Sequence, residues 1–372
     1  MTTPTSQPFP APPAAPAGCQ SQPTTRYVPT RNLDILRATA VLLVLVAHIV
    51  GIGLKETDRG ATFPAALGIL GVVIFFVHTS LVLLLSLERL PVAGWRAAVS
   101  FYLRRLFRLY PLSVLTVLTV LVLRIPADPF LPFQSLSVQE IIANLALIQN
   151  ITGSRNATVP LWSLPWEVQM YAVLPLVFFA VRSRRLAILA FVVGIAVAAN
   201  IVGVWNGYRY TRALQYVPCF MAGAMAYVHL SRVRLRLPAI AWPLVLMVVA
   251  FVYGASGVGW PLHPIRYPEW CTCALLGFLI PRFHDMEDNL LSRAAKHVST
   301  YSYGIYLFHM PSMWVGFTVL SAYGPIVAVV VTLVMTGLLS VTMYHLVEQP
   351  MINMGKRVAV RFERFTYEEN RA

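Results

Sequence analysis

Long apolar runs, separated by short polar or basic connections, make up most of the chain. Each run approaches the roughly 20 residues that a helix needs to cross a bilayer. The pattern therefore predicts an all-α polytopic membrane protein of about ten transmembrane helices, with no appended soluble domain. The predicted spans are residues 33–54, 66–87, 109–124, 161–181, 186–204, 213–230, 239–256, 268–282, 299–320 and 325–347.

The remaining stretches have a different composition. Residues 1–30 are rich in Pro, Ala, Thr and Ser, and they cannot bury enough apolar surface to offset their ordering entropy. We expect a disordered cytoplasmic tail there, a membrane domain over 31–352 and a basic cytoplasmic tail over 353–372. Residues 137–150 are too short and too polar to cross, so we expect an interfacial helix on the outer side.

Composition and charge support this interpretation. The chain is 57% hydrophobic and 12% charged, with a mean hydropathy of +0.66, whereas soluble proteins carry about 25% charged residues. Of the 29 Lys and Arg residues, 7 lie in one set of connections and 22 in the other set and the termini. The positive-inside rule predicts that both termini are cytoplasmic, in the plasma (inner) membrane. Topology thus accounts for the net charge of +14 without a nucleic-acid partner. The four cysteines are too scattered for a zinc site, and no metal is expected.

The first span carries ionisable residues. Asp34 and Arg37 lie near its start, and His48 lies in its outer half. The eleven positions from Arg37 to His48 are about three helical turns, which puts both side chains on one face roughly 16 Å apart. Ionisable groups inside a span are costly and usually face a polar cavity. The alternative is that Arg37 extends to the membrane–water interface and that His48 forms a structural hydrogen bond with a neighbouring helix.

A dense arginine cluster, Arg104, Arg105 and Arg108, begins the third span in FYLRRLFRLYP. Arg104 and Arg108 are i, i+4 neighbours, so their guanidinium groups can converge on one anion. The alternative is that the cluster only anchors the helix on the cytoplasmic side, as the positive-inside rule requires. The density of charge favours a polyphosphate, such as the nucleotide end of coenzyme A.

Polar residues also interrupt later spans. LWSLPWEVQMYAVLP contains Trp162, Glu167 and Tyr171, and Glu167 lies about 9 Å inside at 1.5 Å per residue. His48 comes out at a similar depth, which allows a contact between Glu167 and His48.

Two further motifs predict the lining of a polar channel. SYGIYLFH supplies Tyr303 and His309, and the run FFVHTS supplies Ser80. A structural hydrogen-bonding role is the alternative for each. Glu348, in the terminal EQP, is expected to pair with a nearby arginine.

Taken together, these motifs resemble those of membrane acyltransferase family 3. LDILRATAVLLVLVAH with its R-x10-H spacing, FF followed by a small polar residue, RRLFRLYP, LWSLPWE, SYGIYLFH and a terminal E-x-P occur here in that family's order. The resemblance covers about residues 31–352. One departure is FFVHTS, where the family usually has FFxxSG.

The resemblance implies an integral-membrane enzyme that moves an acyl group, expected to be acetyl, from acyl-CoA to a hydroxyl of a sugar, polysaccharide or macrolide-type glycoside. Arg37 and the arginine cluster would hold the phosphates of the co-substrate acyl-CoA, and no cofactor would be bound permanently. His48 would act as general base, with Glu167 orienting its ring. An acyl-histidine route is equally open.

Two other classes remain as alternatives at this point. A transporter or flippase of a lipid-linked or exported glycoside would also need charged groups inside the membrane. A structural scaffold would not need Arg37 and His48 on one face. The sequence leaves the acceptor, the acyl chain length and the side from which the acceptor enters undetermined.

Overall fold

The computed structural model describes residues 28–53, 62–129, 131–182, 186–205, 214–256 and 266–368. These residues form thirteen α-helices joined by short 3-10 and π-helical segments. The helices are α1 (Thr30–His48), α2 (Thr62–Glu88), α3 (Trp95–Val122), α4 (Val138–Ala146), α5 (Gln149–Thr152), α6 (Leu164–Arg182), α7 (Leu186–Trp205), α8 (Val217–His229), α9 (Ala241–Ala255), α10 (Tyr267–Leu279), α11 (Leu290–Trp314), α12 (Pro325–Met343) and α13 (Gln349–Glu368).

The predicted all-α membrane fold is confirmed. A helix occupies each of the ten positions that the apolar runs predict. Within the described ranges, five helical segments are long and apolar enough to cross a membrane: Thr30–Gly51, Phe63–Glu88, Trp95–Val122, Val159–Arg182 and Pro325–Arg364.

Two helices begin well before their apolar runs. α3 starts at Trp95, so the arginine cluster lies on the helix itself and not in a preceding loop. α11 starts at Leu290, where Asn289 and Ser292 form a capping box. The first turn of each helix carries an arginine, Arg96 in α3 and Arg293 in α11, so the apolar run alone does not mark where the helix starts.

The C-terminal segment is helical where a tail was expected. α12 continues through a π-helix, Tyr344–Glu348, into α13. α13 packs along α3, and the ring of Phe362 lies edge-on to Trp95 at 6.1 Å. Residues 1–27, which hold most of the predicted N-terminal tail, lie outside the described residues.

The predicted interfacial segment contains α4. Its N-terminus is fixed by a capping box, in which Ser137 accepts from the backbone N–H of Glu140 and the Glu140 carboxylate accepts in return. The helix ends at Leu147 in the left-handed conformation.

Small residues allow the central helices to approach closely. A Cβ added to Gly71 in α2 would lie 2.5 Å from the carbonyl oxygen of Ala40 in α1. A Cβ on Gly223 in α8 would lie 2.3 Å from the carbonyl oxygen of Val77 in α2. Such contacts are typical of membrane helix interfaces, where packing and not water exclusion drives association. The α1–α2 contact holds the helix that carries Arg37 and His48.

The packing at Gly71 can be tested with a matched pair of glycines. Gly71→Ala should lower the thermal unfolding temperature in detergent, because its Cβ would collide with the backbone of α1. Gly337→Ala in α12 meets nothing within 4 Å and should be neutral or slightly stabilising, since alanine favours a helix over glycine by about 1 kcal/mol. Equal effects at both positions would contradict the close crossing.

Candidate active site

The first feature of the site is a cavity of about 540 Å³, here named the arginine cavity, at one end of the bundle. The starts of α1, α3 and α11 and the end of α2 form it. Its polar lining consists of Thr30, Asp34, Arg37, His78, Ser86, Arg89, Arg104, Arg105 and Ser299. Positive charge dominates this lining, so the cavity suits an anionic ligand.

A narrow polar neck continues from the arginine cavity into the bundle. Arg37 lines both spaces, and the neck itself has a volume of only about 50 Å³. Within it Arg37 Nε donates to Ser302 Oγ at 2.7 Å. Glu167 accepts from the Tyr171 hydroxyl at 2.6 Å and from Thr79 Oγ1 at 3.4 Å.

Beyond the neck, two histidines meet between α1 and α11. The ring centroids of His48 and His309 are 4.9 Å apart. His48 Nδ1 lies 2.8 Å from the carbonyl oxygen of Val44, and His309 Nδ1 lies 3.1 Å from that of Ile305. A carbonyl can only accept, so each Nδ1 carries the proton and each Nε2 carries the lone pair in the neutral ring. His309 Nε2 is buried and has no hydrogen-bond partner.

A second large cavity, here named the outer cavity, lies at the opposite end from the arginine cavity. It measures about 420 Å³ and is bounded by the end of α3 and by residues 125–136 and 155–162. Val159 lines it and also packs against the apolar cluster that contains Leu45 and Met310, which neighbour the two histidines in sequence. The carboxylate of Asp128, another lining residue, interacts electrostatically with His48. The histidine pair therefore lies between the neck and the outer cavity.

The structure does not pair Glu167 with His48, so the expected contact is wrong. Tyr306, about 4.5 Å inward of His309 along α11, bonds Ser163 Oγ at 2.6 Å and the Pro160 carbonyl at 2.9 Å. Glu167 lies a further turn inward, so it is about 10 Å from the level of the histidines. The sequence estimate failed because residues 125–158 cover the outer end of α6, and the helix begins below the surface.

The arginine cluster divides into paired and unpaired members. Arg104 Nη2 contacts Glu363 of α13 at 2.9 Å, and Arg108 Nη2 lies 3.5 Å from Glu348, as expected for that glutamate. Arg105 stacks over Phe101 at 5.9 Å, and its Nε is buried without a partner. Arg105 and Arg37 are thus the arginines best placed for a ligand.

The other residues that the sequence predicts as channel lining lie in different parts of the structure. Asp34 accepts from Ser299 Oγ at 2.9 Å in the arginine cavity. Tyr303 lines the neck and donates to the Leu109 carbonyl at 2.8 Å. Ser80 is fully buried where α2 crosses α8, so its prediction as a lining residue is wrong.

Some residues of the site were missed from sequence. Thr79, next to Ser80, is the residue of FFVHTS that faces the neck, because it lies one helical turn from Phe75. Ser302 lies seven residues before His309, two turns along the same face, and this spacing could have revealed it. Asp128 lies in a loop and gives no sequence signal.

The fold and the site together define a polytopic membrane protein with a basic cavity at one end of its bundle and a largely apolar cavity at the other. The chain belongs to membrane acyltransferase family 3, since the family's model, described as an acyltransferase domain, matches residues 30–345. No curated protein and no solved structure matches the chain. The protein is a membrane acyltransferase.

The Arg104–Glu363 ion pair predicts that Arg104 contributes to the stability of the fold. Arg104→Ala should lower stability by about 1.5–3 kcal/mol, because it removes a charge-assisted hydrogen bond to a nearly buried carboxylate. Glu363→Gln should give a smaller loss, and the double variant should be less destabilised than the sum of the two. Unfolding in detergent measures all three, and strictly additive losses would contradict the pairing.

Proposed function

We propose that this acyltransferase moves an acyl group, in the simplest case acetyl, from acyl-CoA to a hydroxyl of a carbohydrate or glycoside. The observation that carries the proposal is the alignment of the arginine cavity, the neck and the histidine pair. A donor with a phosphate-rich head and a long, thin arm matches a basic cavity that leads into a narrow neck.

The head of the donor would bind in the arginine cavity. Arg105 and Arg37 supply the guanidinium groups, and such groups form strong charge-assisted hydrogen bonds with phosphate. Arg104 and Arg108 hold α3 against α13 and the end of α12, and they add to the positive field. The pantetheine arm would then follow the neck past Thr79 and Tyr303.

The thioester would reach His48 beyond the neck. The distance from Arg37 to His48 is roughly 16 Å along α1, which an extended arm can span. His48 Nε2 accepts the proton of the acceptor hydroxyl, because Nδ1 is held by the Val44 carbonyl. The hydroxyl oxygen bonds to the acyl carbon, the carbon–sulfur bond breaks, and the departing thiolate takes the proton from His48.

Glu167 has a different role from the one expected from sequence. Because its carboxylate is bound by Tyr171 and Thr79, it organises the wall of the neck around the arm. His309, whose ring lies against that of His48 at a tilt of 48°, fixes the ring that takes the proton.

The donor assignment predicts a selective loss of donor binding. Arg105→Ala should raise the KM for acetyl-CoA about tenfold or more and leave the KM for the acceptor near its original value, since one charge-assisted contact contributes about 1.5–3 kcal/mol. Arg96→Ala, on the same helix but outside the cavity lining, is the control. An unchanged donor KM in a folded Arg105→Ala protein would contradict the assignment.

The base assignment predicts how two substitutions combine. His48→Gln should reduce transfer by roughly 10²–10⁴, because glutamine cannot take the proton. Glu167→Gln should reduce it less, and the two losses should multiply in the double variant, because the residues are about 10 Å apart along the bundle and share no partner. Mass spectrometry of the acylated acceptor gives the rates. Retained transfer in a folded His48→Gln protein would overturn the assignment, and a double variant no worse than His48→Gln would restore a direct partnership.

A further inference from the structure

The outer cavity has no role in holding the donor, and it lies on the far side of the histidine pair. Its volume of about 420 Å³ falls within the range of small-molecule sites. Because the neck admits the donor from the arginine cavity, a second substrate can approach His48 from the outer cavity without displacing the donor.

Apolar and aromatic side chains form most of the cavity wall. Val120 and Leu121 of α3, with Phe133 and Leu136 from the covering loop, supply its apolar part. Trp162 also lines it and is held edge-on against Trp166 at 5.6 Å. A fixed indole presents a rigid surface on which the C–H face of a sugar ring can pack.

At the rim, the charges of Arg155 and Glu140 neutralise each other. Arg155 donates to both carboxylate oxygens of Glu140, at 2.7 and 2.9 Å, and to Gln134 Oε1 at 2.9 Å and the Ser135 carbonyl at 3.0 Å. The Arg155 guanidinium, together with the capping N–H of Ser137, lowers the pKa of Glu140 to about 2. Glu140 therefore stays ionised at neutral pH, and Arg155 has few donors left for an anion.

From this geometry we infer that the outer cavity is the acceptor site, that it takes a neutral glycoside with an apolar aglycone, and that the acceptor enters from the face opposite to acyl-CoA. This inference rests on the proposed acyl transfer. The sugar packs against Trp162 with a hydroxyl directed to His48. The aglycone contacts the apolar wall, and Asp128 stabilises the positive charge that forms on His48 as it takes the proton.

The first experiment measures which acceptors the purified protein uses. With acetyl-CoA as donor, p-nitrophenyl glucoside should be acylated with a KM about tenfold below that of methyl glucoside, and p-nitrophenyl glucuronide should be a poor acceptor. Phe133→Ala should raise the KM for p-nitrophenyl glucoside about tenfold and leave the KM for methyl glucoside and for acetyl-CoA nearly unchanged. Ile151→Ala is the matched control, because Ile151 is an exposed apolar residue of the same region outside the cavity.

The second experiment measures the side from which the acceptor enters. Membrane vesicles with the arginine cavity facing outward receive acetyl-CoA outside and p-nitrophenyl maltoside, a poorly permeant disaccharide, either inside or outside. Product should form only with the trapped maltoside.

The outcomes separate this inference from the proposed function. Transfer that requires the maltoside on the donor side, a preference for the glucuronide, or identical effects of Phe133→Ala and Ile151→Ala would overturn the acceptor site while acyl transfer stands. Absence of CoA release with every acceptor and on both sides would instead overturn the proposed function, and this inference with it.

Discussion

The polar register between α1 and α11 is the constraint on which the rest of the site depends. Asp34 contacts Ser299, Arg37 contacts Ser302, and the ring of His48 contacts that of His309. A polar group inside a bundle is costly unless it is bonded, so each of these contacts fixes one helix against the other. Sliding α11 by one turn would break all three at once. The same register that stabilises the packing of α1 on α11 also holds Arg37 and His48 roughly 16 Å apart along α1.

This register explains which predictions from sequence succeeded. Helical periodicity within one element placed Arg37 and His48 on a common face, and in the structure both side chains contact α11. It failed for Glu167, because the depth of a residue in α6 depends on how the segment that carries α4 and α5 covers that helix. The prediction of lining residues failed for Ser80 by one residue. One residue is about 100° of rotation around the helix, so Thr79 faces the neck and Ser80 lies in the α2–α8 contact. Helical periodicity also missed Asp128, because loop residues follow no such periodicity.

The arginine cluster shows that one dense motif can serve two purposes. Positive charge at the start of α3 agrees with the positive-inside pattern, yet Arg104 and Arg108 have defined partners in the C-terminal segment. The Arg104–Glu363 pair ties α3 to a residue that hydropathy alone would assign to the tail over 353–372. Arg105, between them in sequence, stays available to the cavity because its side chain turns onto Phe101. Sequence spacing shows that three guanidinium groups are close, but only the fold shows which one is free to bind a ligand.

The narrowness of the neck gives the site its directionality. For the proposed reaction, a neck of about 50 Å³ is too small for a nucleotide, so the bulky end of the donor would stay in the arginine cavity. A sugar would also be too wide for the neck and would approach the histidines from the outer cavity. The two substrates would then meet at His48 without exchanging sides, each in a space suited to its own chemistry. The neck between them would also restrict water, which would otherwise compete with the acceptor hydroxyl for the thioester.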